Sequence, residues 1–178
     1  MPELPKADLT GDRGFMAEDD LLCLRNWANK LPAELGDLLE VGSYKGLSSA
    51  HLASVGPHLT CVDWWFGDAF LPPHDYFPEW ERTVAPWRDR ITAVRSMSQD
   101  YLPTVPNQSC RLVFIDGDHD QTDVVKSDLT NGKRILSSRG ILLVDDWMAG
   151  FPTVENVAKK LGIPFHREGA KLGGWVKP

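Results

Sequence analysis

The sequence is poor in cysteine, has fewer basic than acidic residues, and lacks any long apolar run. Each shortage removes a class of function. Its three cysteines, Cys23, Cys61 and Cys110, are odd in number and scattered. A disulfide framework or a zinc knuckle needs paired spacing, so these thiols are expected to be free and buried. Lys and Arg number 19 against 25 Asp and Glu, a formal charge of −6. A nucleic-acid or anionic-membrane surface needs clustered positive charge, so neither partner is expected. No stretch is apolar for long enough to cross a bilayer, and no charged-then-apolar leader opens the chain; a cytoplasmic location is the resulting expectation. No internal repeat or low-complexity tract interrupts the 178 residues, which suit a single domain spanning 1–178 with its own core. What the sequence has in excess is tryptophan. There are 7, and Trp64, Trp65, Trp80 and Trp87 fall in one short region.

Five apolar runs end in polar clusters. Asp37–Val41 runs into Gly42-Ser43-Tyr44-Lys45-Gly46 and then a helix to about Val55. Strand, glycine turn and helix form the entry to a nucleotide-type site, because glycine lets the backbone approach a ligand and the helix amino end faces it. Leu59–Asp63 ends in an acid about 20 residues on, where doubly wound folds place a group that bonds ribose hydroxyls. Ile91–Val94 is followed by Ser98-Gln99-Asp100. Arg111–Ile115 climbs to Asp116-Gly-Asp118-His119-Asp120, and Gly140–Val144 to Asp145-Asp146-Trp147. Helical periodicity marks residues 17–31, 121–136 and the segment after Gly150-Phe151-Pro152, with a further helix from Pro78 to Val84. Ile163–Arg167 and Gly174–Val176 read as a closing hairpin. The alternation predicts an α/β protein: a single Rossmann-like, doubly wound, mostly parallel seven-stranded sheet with an antiparallel C-terminal hairpin strand.

In such sheets ligands bind at the carboxyl ends of the strands. If the fourth and fifth strands are parallel neighbours, Asp116, Asp145 and Asp146 meet at one rim. Three carboxylates so placed repel unless a cation holds them. Residues 64–86 hold four prolines and the aromatics Trp64, Trp65, Phe66, Phe70, Tyr76, Phe77 and Trp80. This is too apolar for a linker, and a connection that long suits a wall or lid over a substrate pocket. Residues 1–14 read as a loose arm.

These motifs resemble those of the class I S-adenosylmethionine-dependent methyltransferases, and most closely the metal-dependent O-methyltransferases of the catechol and macrolide-sugar types. Glu40-Val-Gly42-Ser43-Tyr44-Lys-Gly46 is similar to their first motif, Asp63 to their ribose-binding acid, and the closing hairpin to their final antiparallel strand. The resemblance implies that Glu40, Gly42, Ser43, Tyr44 and Gly46 bind the methionine part of S-adenosylmethionine. It implies that Asp63 binds the ribose, Trp64 flanks the adenine, Ser98 and Gln99 contact the adenine edge, and Asp116 both adjoins the cofactor and takes part in catalysis. By the same resemblance Asp116, Asp145 and Asp146 would hold a divalent cation, magnesium being the one implied, with Asp118 an alternative to Asp116; oxygen ligands alone suit magnesium, calcium or manganese. His119 stands where these families keep a lysine or histidine base.

Methyl transfer to a hydroxyl requires the oxygen to shed its proton and align opposite the sulfonium sulfur. A cation with two sites open to substrate oxygens lowers the hydroxyl pKa and fixes that alignment. His119 would take the proton. The expected acceptor is a small molecule bearing vicinal oxygens, a sugar diol or a catechol-like pair; a homodimer is compatible with the sequence. Two alternatives stay open: a non-catalytic S-adenosylmethionine-binding protein or regulator, and a nicotinamide-dependent oxidoreductase, whose glycine spacing fits less well.

Overall fold

The computed structural model describes residues 2–67, 71–147 and 152–178. Phe70 and the Gly150-Phe151 pair of the sequence reading lie outside the described residues. The elements run α1 (Glu18–Lys30), β1 (Asp37–Val41), α2 (Leu47–Ala53), β2 (Leu59–Asp63), α3 (Phe77–Val84), β3 (Ile91–Arg95), α4 (Ser98–Tyr101), β4 (Cys110–Ile115), α5 (Thr122–Ile135), β5 (Leu136–Val144), α6 (Pro152–Lys160), β6 (His166–Arg167) and β7 (Gly173–Val176). Helix α1 has Glu18, Asp19 and Asp20 in its first turn and Lys30 in its last, charges that complement the helix dipole. It stops where Pro32 forces Leu31 into an extended conformation.

The seven strands form one sheet in the order β3-β2-β1-β4-β5-β7-β6. β1 to β5 are parallel, and β7 and β6 return antiparallel beside β5. The predicted doubly wound sheet with its closing hairpin is the observed one. Side-chain alternation divides the core in two. Leu38, Leu112, Phe114, Ile141 and Leu143 face α1, α2 and α3, packing with Leu21, Leu24, Leu52 and Trp80. Leu39, Val41, Val113, Ile115, Leu142 and Val144 face the other way, against Val125, Leu129, Val154 and Val157 of α5 and α6. Strands buried on both faces must be apolar at nearly every position, which is why the runs at 110–115 and 141–144 do not alternate.

Two local differences from the sequence reading have physical causes. β5 begins at Leu136 rather than Gly140. Its register against β4 jumps from Cys110↔Leu136 to Leu112↔Ile141, with Arg139 at φ 66, so a bulge lies where a strand start was expected. The amino-terminal arm is not loose. The Asp8 amide donates to Met16 carbonyl at 3.2 Å, and the Pro5 carbonyl lies 2.8 Å from His51 Nε2 of α2. The Gly11 carbonyl accepts from Tyr44 Oη and Lys45 Nζ, each at 3.1 Å. The arm is thereby fastened over the glycine turn after β1. All three cysteines are free and buried, as expected.

Candidate active site

The strand register builds the site. Val41 pairs with Val62 on β2 and with Ile115 on β4, and Ile115 pairs with Val144 on β5. The residues just beyond these pairs are Gly42, Asp63, Asp116 and Asp145, so four strand ends present their polar clusters side by side. The ladder continues one step further there: Asp116 N donates to Val41 O at 2.8 Å, Asp145 N to Ile115 O at 2.9 Å, and Ser96 N to Asp63 O at 3.0 Å. Above this rim lies a cavity of about 900 Å³.

Gly42 turns the chain at φ 81, and a side chain there would run into the carbonyl of Asp116. Glycine is therefore required for β1 and β4 to end together. The next two amides, Ser43 N and Tyr44 N, donate to Asp63 Oδ2 at 2.7 and 2.8 Å, and Trp65 N donates to Asp63 Oδ1 at 2.6 Å. Asp63 thus locks the turn after β1 to the turn after β2. Tyr44 (φ 44) and Trp65 (φ 55) both sit in the left-handed region that bulky residues avoid. Asp146 does too, at φ 55, and all three border the cavity. Backbone strain concentrated around one cavity marks a site that the surrounding packing holds in place.

Of the expected cofactor residues, Gly42, Ser43, Tyr44, Asp63, Trp64, Ser98, Gln99 and Asp116 line this cavity. Glu40 and Gly46 do not. Glu40 shares the parity of Leu38 and so points to the helix-covered face beneath α2. Its Oε2 accepts from Ser43 Oγ at 2.7 Å, from Ser49 Oγ, and from Cys61 Sγ at 3.2 Å. Burial pushes its carboxyl above the ordinary range in spite of those donors. Glu40 supports the glycine turn from behind. Gly46 is the left-handed residue (φ 88) ahead of α2, packed against Trp80 and Val84.

The aromatic segment divides between core and cavity. Trp65 and Trp80 are fully buried, with ring centroids 5.0 Å apart, and Phe77 stacks on Trp80 at 5.4 Å. Trp65 Nε1 donates to the Tyr44 carbonyl at 2.9 Å, which ties this segment to the glycine turn. Trp64, half exposed beside Asp63, and Leu71 and Tyr76 face the cavity. Phe15 of the arm stacks on Tyr44 at 5.9 Å and closes the same wall, together with Arg13 and Met16. The arm's part in the site carried no sequence signal, since its residues form no pattern of their own.

At the other end of the cavity lie Asp116, His119, Asp145 and Asp146. His119 is buried, with Nδ1 3.7 Å from Asp146 Oδ2. Asp118 also borders the cavity, with its carboxylate engaged at the start of α5: it accepts from the Asp120 and Gln121 amides at 3.0 and 3.2 Å and from Gln121 Nε2 at 2.5 Å. Lys171, which sequence reading missed, completes the cluster. Its ammonium lies 2.5 Å from Asp145 Oδ2 and 2.9 Å from Asp146 Oδ1. The signal lay in topology. β7 returns antiparallel with Gly173 opposite Val144, so the hairpin tip before Gly173 must lie beside Asp145. Burial and the neighbouring Asp145 carboxylate push Asp116 well up, and burial raises Asp145 against the pull of Lys171. Asp146, although partly buried, is held low by the neighbouring His119 and by the Lys171 ammonium that donates to it. Lys171 is raised despite burial by the Asp145 and Asp116 carboxylates, and so stays charged.

The expected divalent cation does not fit this arrangement. Oxygen ligands must close to about 2.0–2.6 Å on magnesium or calcium, and an ammonium already lies between the two acids. Among the described residues no set of three or more His, Cys, Asp or Glu side chains is arranged to hold a metal ion.

A glycine cradle that a side chain would fill, an acid locking it from the neighbouring strand, and the strand order with its antiparallel closing strands define a class I S-adenosylmethionine-dependent methyltransferase. The model of a family described as a methyltransferase domain matches residues 39–147, and the chain belongs to that family. No curated protein matches the sequence. Among solved structures, the O-methyltransferase NovP is similar at 17% identity and a TM-score of 0.75, over 93% of this chain and 82% of that one. The O-methyltransferase TomG of Streptomyces achromogenes, solved in complex with SAM, has 16% identity and a TM-score of 0.66, over 92% and 82%. The N-methyltransferase NodS of Bradyrhizobium japonicum WM9 has 14% identity and a TM-score of 0.62, over 89% and 93%. At these identities the likeness is one of fold.

Proposed function

We propose that this chain is a single-domain S-adenosylmethionine-dependent O-methyltransferase. Its acceptor is a small molecule with a hydroxyl beside a second oxygen, of the sugar-diol or catechol-like kind. The observation that carries this reading is that the glycine turn after β1 and the acid–histidine–lysine cluster after β4 and β5 open into one cavity. Gly42 to Tyr44, Asp63, Trp64, Ser98 and Gln99 line one end, and His119, Asp146 and Lys171 the other. NovP and TomG, both titled O-methyltransferases, lend support through their fold.

The geometry supports a cofactor held at the glycine turn. Gly42 lets the backbone come close, Asp63 offers oxygens to ribose hydroxyls while keeping its hold on the Ser43 and Tyr44 amides, and Trp64 offers an exposed face for the adenine. When bound, the cofactor supplies a methyl group on a sulfonium sulfur. His119 receives the acceptor's proton, and Asp146, 3.7 Å from Nδ1, orients the ring. Lys171 gives the second oxygen of the acceptor a positive partner. Phe15, Leu71 and Tyr76, which line the same cavity, offer an apolar wall to the acceptor. The divalent cation of the sequence reading has no part in this proposal, because Lys171 stands in its place.

Calorimetric titration with S-adenosylhomocysteine, with NAD as control, tests the cofactor. Micromolar binding of the first and none of the second is the expected result. Transfer of a labelled methyl group to a panel of diols, catechols and amines then tests the acceptor. Label found only on amines would refute O-methylation, and an absence of S-adenosylhomocysteine binding would refute the whole reading.

A further inference from the structure

We infer that Lys171 is the resident cation of the acidic end of this cavity, built into the chain where a divalent metal would otherwise be needed. The inference rests on the O-methyltransferase reading for its catalytic meaning, but its geometry stands apart from it.

Three carboxylates crowd the ends of β4 and β5, and such a group demands a positive partner. The chain supplies one. Lys171 Nζ lies within hydrogen-bond distance of both Asp145 and Asp146. An ammonium has three donors. Two meet these acids, and among the described residues the third meets no other acceptor, which leaves it for an acceptor oxygen in the cavity that Lys171 borders. A divalent ion at this place would have to expel the lysine or sit against a like charge.

The position of Lys171 does not depend on its flexible side chain alone. Its backbone amide donates to Asp20 Oδ1 at 3.2 Å. Asp20 is fully buried in α1, and Oδ2 of the same carboxylate has no other hydrogen-bond partner among the described residues. A buried carboxylate that reaches across to one loop amide is an anchor. On either side, Glu168 N donates to Leu172 O at 3.0 Å, closing the hairpin, and Leu172 is fully buried. The tip of the β6–β7 hairpin is thus fixed from α1, and the lysine extends from it onto the ends of β5. The ammonium serves two purposes: it holds Asp145 and Asp146 together, and it presents a fixed positive charge where an acceptor oxygen becomes negative.

The test is manganese binding, read by electron paramagnetic resonance as loss of the free-ion signal, on the full chain with S-adenosylhomocysteine present. The wild type is expected to leave the signal unchanged at millimolar manganese. Lys171→Ala, which keeps all three acids, is expected to gain a site whose manganese Kd lies at least about tenfold below the millimolar concentration at which the wild type binds none, a difference of about 1.4 kcal/mol or more. Lys171→Arg, which keeps a cation, is expected to bind none. Stoichiometric manganese binding by the wild type would overturn the inference. So would a Lys171→Ala protein that melts cooperatively and gains no binding. Lys171→Gln replaces the alanine variant if that one does not fold. Titration of S-adenosylhomocysteine into the same samples separates the two ideas: loss of that binding in the wild type speaks against the methyltransferase reading, whereas the manganese result speaks to Lys171 alone.

Discussion

Asp128 gives the sharpest test of the electrostatics behind the site. It lies in α5, fully buried, beneath the loop that carries Gly117 and His119. Burial lifts its carboxyl from an ordinary value of 3.8 to about 6, against a hydrogen bond from Ser98 and the nearby His119, and Oδ1 has no hydrogen-bond partner among the described residues. At roughly 1.36 kcal/mol per pH unit, that shift costs the ionised folded protein about 3 kcal/mol. The sign follows from proton counting. Between the two values the folded chain binds more protons than the unfolded chain, so stability falls as pH rises through the window and levels off above it. Asp128→Asn keeps the shape and removes the charge. Near pH 4 the variant and wild type should be about equally stable, because an amide and a protonated acid face the same missing partner. By about pH 7 the variant should be more stable by about 3 kcal/mol. Urea unfolding followed by tryptophan fluorescence across this range measures the difference directly, and working with the difference cancels the contributions of Glu40, Asp116 and Asp145. A stability difference that stays flat with pH, or an asparagine variant that is the weaker at neutral pH, would refute the reasoning.

Gly42→Ala should combine a left-handed residue, worth roughly 1–2 kcal/mol, with overlap on the Asp116 carbonyl worth roughly 1–3 kcal/mol more; a lowered urea midpoint and lost S-adenosylhomocysteine binding check it. His119→Gln should lower kcat by roughly 10²–10⁴-fold and leave S-adenosylhomocysteine affinity unchanged in calorimetry, since the imidazole is at the acceptor end. Trp80→Ala, which removes a fully buried indole from between Trp65, Phe77 and α2, should cost about 3–5 kcal/mol, read as a lowered midpoint with no change in slope.

The sheet was legible because its strands are buried on both faces. Continuous apolar runs ending in polar clusters mark strands 1, 2, 4 and 5 and their direction, and the glycine at 42 marks the turn that brings a ligand close. Parallel neighbours then put Asp63, Asp116 and Asp145 on one rim with no further information. Glu40 shows where that reasoning stops. In sequence it belongs to the glycine motif, yet strand parity turns it to the opposite face from Val41 and Leu39, and it ends among Ser43, Ser49 and Cys61. Membership of a motif does not tell which side of the sheet a side chain takes; counting by twos from Leu38 does. Lys171 shows the converse. Nothing in Gly169-Ala-Lys-Leu-Gly173 marks a site, and no local pattern would have singled out this lysine among the basic residues. Its role comes from an antiparallel return that sets Gly173 opposite Val144 and from one buried carboxylate, Asp20, that lies 151 positions earlier in the chain. Residues that carry their own chemistry at a strand end are visible in sequence. Those that act by neutralising them arrive from distant segments, and only the packed chain brings them there. The acid cluster, read alone, asked for a metal. Charge balance needed a cation of some kind, and the fold answers with an ammonium from the hairpin.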